Sequence, residues 1–190
     1  MADPQAQAQD AAAAVAVQRG EAFAYRALVE RYHAPLVRYA RRFLGHAEDA
    51  DDVIQEVFLR AYERIRQYDA RRPFSTWIYR IAHNACIDHL KHRKREPIPF
   101  FDPDTLFPHP IARDTPEDHV TRAEILDAIE RNLTSLDAKY REVVVLFYIA
   151  ERSYEEIADI LRIPVATVGV RLKRARDRLR AYRTSHSYGQ

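Results

Sequence analysis

The chain has 190 residues, 47% of them apolar and 11% aromatic, with a formal net charge of only +2. That length allows one or two domains with real cores. Four glycines among abundant Ala, Leu, Arg and Glu exclude glycine-rich repeats and favour helix. The charge is segregated: residues 48–56 (EDADDVIQE) are acidic, whereas 71–95 and 171–183 are basic. Such asymmetry points to two kinds of partner, one of them nucleic acid. Cys86 is the only cysteine, so no intrachain disulfide forms and a reducing, cytoplasmic setting is expected. No apolar run reaches transmembrane length, and the N-terminus lacks the basic start of a signal peptide, so no membrane insertion is expected.

In chain order, residues 1–20 are Ala/Gln-rich and read as a disordered tail. Phe23, Ala27, Leu28 and Tyr32 set a first helical stripe. Pro35 suits the first turn of a second helix and Gly45 its end. A third helix is expected from about Asp51 to Arg66, with Ile54, Val57, Phe58, Ala61 and Ile65 inward. Its other face carries Asp52, Gln55, Glu56, Leu59 and Glu63, either a solvated face or a docking surface for a basic partner.

Residues 68–73 form a loop, and Pro73, Ser75 and Thr76 open a fourth helix. Trp77, Ile78, Ile81, Ala82, Ala85 and Leu90 are placed inward, while Arg80, Asn84, Asp88 and Lys91 form a separate polar stripe. Aromatic rings beside a run of cations suit unpaired bases and phosphates, and Phe74 with its preceding loop is best placed to touch them. His83, Cys86, His89 and His92 recur every third residue of this helix. Steps of three drift around a helix, so all four cannot converge on one ion; contacts to DNA are the simpler reading.

Residues 96–117 hold six of the ten prolines and read as an extended linker between two domains. Helices resume at 117–132 and 137–148. Ser153 and Glu156 then form a capping box before Ile157, Ala158, Ile160 and Leu161. After a break at 162–164, a last helix runs from Val165 to about Tyr182, with Val168, Leu172, Ala175 and Leu179 inward. Seven Lys/Arg against one Asp lie between 171 and 183. Two short helices at a tight break, the second basic outward, describe a helix-turn-helix, with Thr167 and Arg171 near the end that enters a major groove. Arg162 stands where such turns want a left-handed glycine, at a cost of roughly 1 kcal/mol. No metalloenzyme motif, phosphate-binding glycine loop or Ser/His/Asp signature appears, so neither catalysis nor a cofactor is expected.

Three segments, ADDVIQEVFLRAY at 50–62, RPFSTWIYRIAHNACIDHLK at 72–91 and YEEIADILRIPVATV at 154–168, together resemble the sigma-70 family of RNA polymerase sigma factors. The size and the two-domain layout resemble its extracytoplasmic-function subgroup. The resemblance implies an all-α fold with two small helical domains on a proline-rich linker: region 2 at 21–95, linker at 96–117, region 4 at 118–184, and a tail at 185–190. It implies that Asp52, Gln55, Glu56 and Leu59 bind core polymerase at the β′ clamp helices, with region 4 near the β flap. It implies that Phe74, Ser75, Thr76, Arg80, Asn84 and Lys91 meet the −10 promoter element, the loop capturing an unpaired base. Thr167 and Arg171 would read the −35 element, with Lys173, Arg174 and Arg176 near phosphates. An anti-sigma factor is a further implied partner. The chain departs from the family at Arg162, Ala166, Gly169 and Val170, which puts the −35 contacts in question. The alternatives are a stand-alone helix-turn-helix regulator, which leaves 48–95 unexplained, and a nucleic-acid enzyme, for which the acidic run at 48–56 is the only candidate centre.

Overall fold

The computed structural model describes residues 4–45, 48–92 and 122–187, the side chains of 124 and 182–187 excepted. Among the described residues every regular element is helical. They are α1 (Pro4–Gln18), α2 (Tyr25–Leu44), α3 (Glu48–Glu63), α4 (Phe74–His92), α5 (Arg122–Asn132), α6 (Ala138–Val144), α7 (Tyr154–Leu161) and α8 (Val165–Ser187). The chain divides into two compact units, the first built from α1–α4 and the second from the later helices, with residues Asp159–Leu161 at the end of α7 grouped with the first. The expected linker at 96–117 lies outside the described residues, as do the last three residues of the expected tail at 185–190; its first three continue α8.

In the first unit α2, α3 and α4 pack on one another around Leu36, Phe43, Ile54, Val57, Phe74, Ile78 and Ala82. Two expectations are corrected here. Residues 4–18 are not a disordered tail but a helix. Alanine has the highest helix propensity, and Asp10, Ala14 and Val17 recur on one face, which α1 buries against the rest of the unit. Asp10 sits at the centre of that contact, accepting hydrogen bonds from Arg31 Nη1 (2.6 Å) and the Tyr32 hydroxyl. The second correction concerns Pro35, which does not begin a helix but lies inside α2. Proline removes one i→i−4 bond, but the apolar stripe Leu28, Tyr32, Leu36, Tyr39, Ala40 and Phe43 runs unbroken through it, and its burial holds the helix together. Gly45 ends α2 in the left-handed conformation (φ 75°), donating to the Arg41 carbonyl.

The second unit packs α5, α6 and α8 around Ile129, Val143, Val144, Leu146, Leu172 and Leu179. The expected helix over 137–148 is α6 followed by one π-helical turn, Val145–Ile149, where Ala150 N–H reaches the Val145 carbonyl at 2.9 Å. The capping box forms as expected: Glu156 N–H donates to Ser153 Oγ and Ser153 N–H to Glu156 Oε2. Arg162 takes the left-handed conformation (φ 57°, ψ 42°) and closes α7 by donating to the Ala158 carbonyl. The four inward positions of α8 (Val168, Leu172, Ala175 and Leu179) are all buried.

Candidate partner and nucleic-acid interfaces

The acidic helix α3 turns its apolar stripe, Val53, Ile54, Val57, Phe58 and Ala61, into the core. Geometry therefore leaves Asp52, Gln55, Glu56 and Leu59, spaced i, i+3, i+4 and i+7, on one exposed face. Leu59 is 66% exposed, unusual for a leucine beside a formed core. Glu56 is held by Arg60 at 2.6 Å, whereas Asp52 has no ion-pair partner among the described residues. Of the other carboxylates of α3, Asp51 pairs with Arg41 (2.9 Å), and Asp49 lies 3.3 Å from His89.

Beside this face runs a groove of about 440 Å³ lined by Tyr25, Val29, His33, Gln55, Phe58, Leu59 and Tyr62. Its floor is locked: Tyr25 donates to the Phe58 carbonyl at 2.7 Å, its ring meets Tyr62 edge-on, and His33 stacks on Phe58. Burial pushes the Tyr25 hydroxyl well above the usual phenol range, so it stays a neutral donor. The α2 side of this groove was not among the residues singled out from the sequence. Its signal was a second stripe, Tyr25, Val29 and His33 at i, i+4 and i+8, running beside the core stripe Leu28, Tyr32 and Leu36.

At the start of α4 the structure exchanges two expected roles. Phe74 is 1% exposed and packs against the rings of Tyr32, Tyr68 and Trp77 at 5.3–5.4 Å. Ser75 and Thr76 are also buried. All three residues expected at the −10 element thus have their side chains turned inward in this structure. Trp77, expected in the core, is half-buried at the rim of the same ring cluster. The cause is phase: α4 buries Phe74, Ile78, Ile81, Ala82 and Ala85, and Trp77 falls at the margin of that stripe.

The exposed part is the loop before α4. Tyr68 is buried, and its hydroxyl spans the loop to the Arg72 carbonyl at 2.7 Å. Burial, with Asp10 and Asp69 adding to it, raises that hydroxyl to about 12. Ala70, Arg71 and Arg72 are exposed at the tip. Arg71 donates from its side chain and backbone to Asp69, holding that carboxyl down to about 2. On α4 itself Arg80 is half-buried, while Asn84 and Lys91 are exposed. The His/Cys row disperses: His83 sits near Tyr39 and Phe43, Cys86 is fully buried, His89 faces Asp49 and His92 is exposed. Burial pushes the Cys86 thiol far up, which suppresses its thiolate.

In the second unit Thr167 is fully buried and Arg171 is 6% exposed. Arg171 Nη1 donates to Glu142 Oε1 at 2.5 Å, a buried ion pair joining α8 to α6. Both side chains, expected at the −35 element, are turned inward in this structure. Gly169 is also buried; a Cβ there would meet Tyr154 at 3.6 Å, ordinary contact rather than a clash. Among the described side chains of α8, Lys173, Arg174 and Arg178 are exposed cations, with Arg176 and Arg180 half-buried. Arg178 spends part of its charge on Asp137 (2.6 Å) and the Tyr140 ring (4.5 Å).

These two units match known sequence families in order. The family profile for sigma-70 region 2 covers residues 28–96, and that for sigma-70 region 4 covers 126–179. The ECF RNA polymerase sigma factor SigW of Bacillus subtilis (strain 168) is 39% identical over 172 residues, spanning 86% of this chain and 91% of that protein. The chain belongs to the sigma-70 family, in its ECF subgroup. The ECF RNA polymerase sigma-E factor of Escherichia coli (strain K12) is 32% identical over 85% of this chain and 87% of its own length. Among solved structures, CnrH in complex with the cytosolic domain of CnrY is similar with a TM-score of 0.69 at 28% identity, covering 93% of this chain and 98% of that one. The sigma factor RpoE of Bartonella quintana, solved with the anti-sigma factor NepR, shares the fold at a TM-score of 0.58 and 23% identity, over 82% and 96% of the two chains.

As a sigma factor, the chain carries the acidic face, the groove and the loop in region 2, and the Arg171–Glu142 pair and the α8 cations in region 4. No described helix is long and apolar enough to cross a membrane.

Proposed function

We propose that this sigma factor binds core polymerase through the α3 face and its groove, opens the −10 element with region 2 and holds the −35 duplex with region 4. The observation that carries the reading is an exposed leucine, Leu59, between an exposed acid, Asp52, with no ion-pair partner among the described residues, and an apolar groove. A solvated helix face has no use for that combination, whereas a basic helical partner with apolar side chains fits it. The β′ clamp helices are the proposed partner, with the β flap as the partner of region 4.

On the promoter, the loop tip at 70–72 and the α4 residues Arg80, Asn84 and Lys91 are the proposed −10 contacts. Capturing a flipped base offsets an unstacking cost of a few kcal/mol. In region 4, Lys173, Arg174 and Arg176 are the proposed phosphate contacts. Each phosphate contact on duplex adds about 0.9 to the slope of log affinity against log salt. The chain supplies binding energy and no catalytic group of its own. An anti-sigma factor is proposed as a competing partner, by analogy with the RpoE–NepR complex.

The core-binding half is tested by Leu59→Glu in the full chain. Titration against fluorescent core polymerase should show affinity lowered roughly tenfold to a hundredfold, the size expected of an interface anchor. The folded helix content should stay unchanged, since the side chain is already in solvent. Wild-type affinity in this variant would place the interface elsewhere.

A further inference from the structure

Helix α1 is the one element of the first unit that the proposed function leaves without a task. It ends in Gln18, which is half-buried and whose carboxamide Nε2 donates twice across the unit. One bond reaches the Ile65 carbonyl at 2.7 Å and the other the Tyr68 carbonyl at 2.9 Å, 47 and 50 residues away. These two carbonyls bracket the 3₁₀ turn Ile65–Gln67 that leads into the loop.

From Tyr68 onward the loop is tied to itself. The Tyr68 hydroxyl reaches Arg72, Arg72 N–H returns to the Asp69 carbonyl at 3.0 Å, and Arg71 N–H reaches the Asp69 carboxylate. These bonds tie residues 68–72 into one compact turn that begins at the backbone of Tyr68. The ring of Tyr68 also packs against Phe74 and Trp77. Phe74 in turn lies against Tyr32, whose hydroxyl donates to Asp10 on α1. Both walls of the loop are therefore held from α1, one by Gln18 and one by Asp10.

We infer that Gln18 is a positioning residue for promoter opening: its two hydrogen bonds fix the height and angle at which residues 69–72 meet the displaced strand. This rests on the reading of that loop as the base-capture element. Gln18 touches no DNA. It acts by removing freedom from the loop hinge before the base arrives, so that ordering need not be achieved on binding.

The test uses holoenzyme reconstituted from the full chain, with Gln18→Met (same length, no donor), Gln18→Glu (same shape, acceptor only) and Gln18→Arg (donors restored). The probe is a single-stranded oligonucleotide carrying the non-template −10 segment of a promoter that wild-type holoenzyme transcribes, with 2-aminopurine at successive positions. Arg71→Ala with Arg72→Ala serves as the loop control. Q18M and Q18E should bind the probe about fivefold to tenfold more weakly, the size of two lost neutral hydrogen bonds. They should lose the unstacking signal at the captured position, with affinity for core unchanged, and Q18R should recover both. Equal losses in core affinity and probe affinity would overturn the inference in favour of a general folding role, and so would failure of Q18R to restore binding. Weak binding by the loop control with normal binding by Q18M and Q18E would overturn the inference while leaving the loop reading intact. No effect from the loop control or from Gln18 would remove the base-capture reading, and the inference with it.

Discussion

Replacing Arg171 by Ala should destabilise region 4 by about 3–5 kcal/mol, the usual effect of stranding one partner of a buried ion pair. Glu142 is the group left behind, in a site where Arg171 is 6% exposed and the two side chains meet at 2.5 Å. A domain of this size has a stability of only about 5–10 kcal/mol, so the loss approaches the whole. The measurement is thermal unfolding of the full chain followed at region 4 amides by hydrogen exchange. Reading Arg171 as a DNA contact expects the opposite pattern: normal folding with weakened −35 binding. The double change Arg171→Met with Glu142→Leu separates the two further. Apolar replacement of a complete buried pair is commonly neutral or stabilising. The double variant should therefore refold and keep the duplex binding supplied by Lys173, Arg174 and Arg176.

The second large effect is Phe74→Ala, which should cost region 2 about 3–5 kcal/mol through lost transfer energy and the cavity it leaves. Phe74 is 1% exposed and its ring is enclosed by Tyr32, Tyr68 and Trp77. Chemical denaturation of the full chain, followed by Trp77 fluorescence, reads this directly, because the indole is part of the cluster. Phe74→Leu keeps most of the volume and should lose much less. If Phe74 were instead a stacking platform for a base, both changes would leave the folding midpoint where it was and only promoter opening would suffer.

These two residues also mark where sequence reasoning reaches its limit. The helices α3, α4, α7 and α8, the capping box at Ser153 and Glu156, the left-handed Arg162 and the buried stripe of α8 follow from local rules of period, cap and turn. The exposed face Asp52, Gln55, Glu56 and Leu59 follows from the same period. What was not legible depends on contacts distant in the chain. Residues 4–18 have a composition typical of a tail, and only the partners of Asp10 and Gln18 on α2 and beside the loop make them part of the core. Arg171 has the chemistry of a DNA contact, and only Glu142, 29 residues away, turns it inward. Phe74 and Trp77 differ by less than one helical turn, so exchanging their roles needs only a modest error in the phase of α4. The groove beside Leu59 joins two helices, and neither half of it signals a cavity alone.

The proposal that this chain opens promoters is tested most directly by permanganate probing of unpaired thymines. The template is a promoter recovered by mapping transcripts that core polymerase makes from genomic DNA in the presence of this chain. The expected result is permanganate reactivity across the −10 element that requires both core and this chain, and that falls when Leu59→Glu replaces the wild type. A fully paired −10 element in the presence of both, with specific duplex binding by the chain alone, would contradict it.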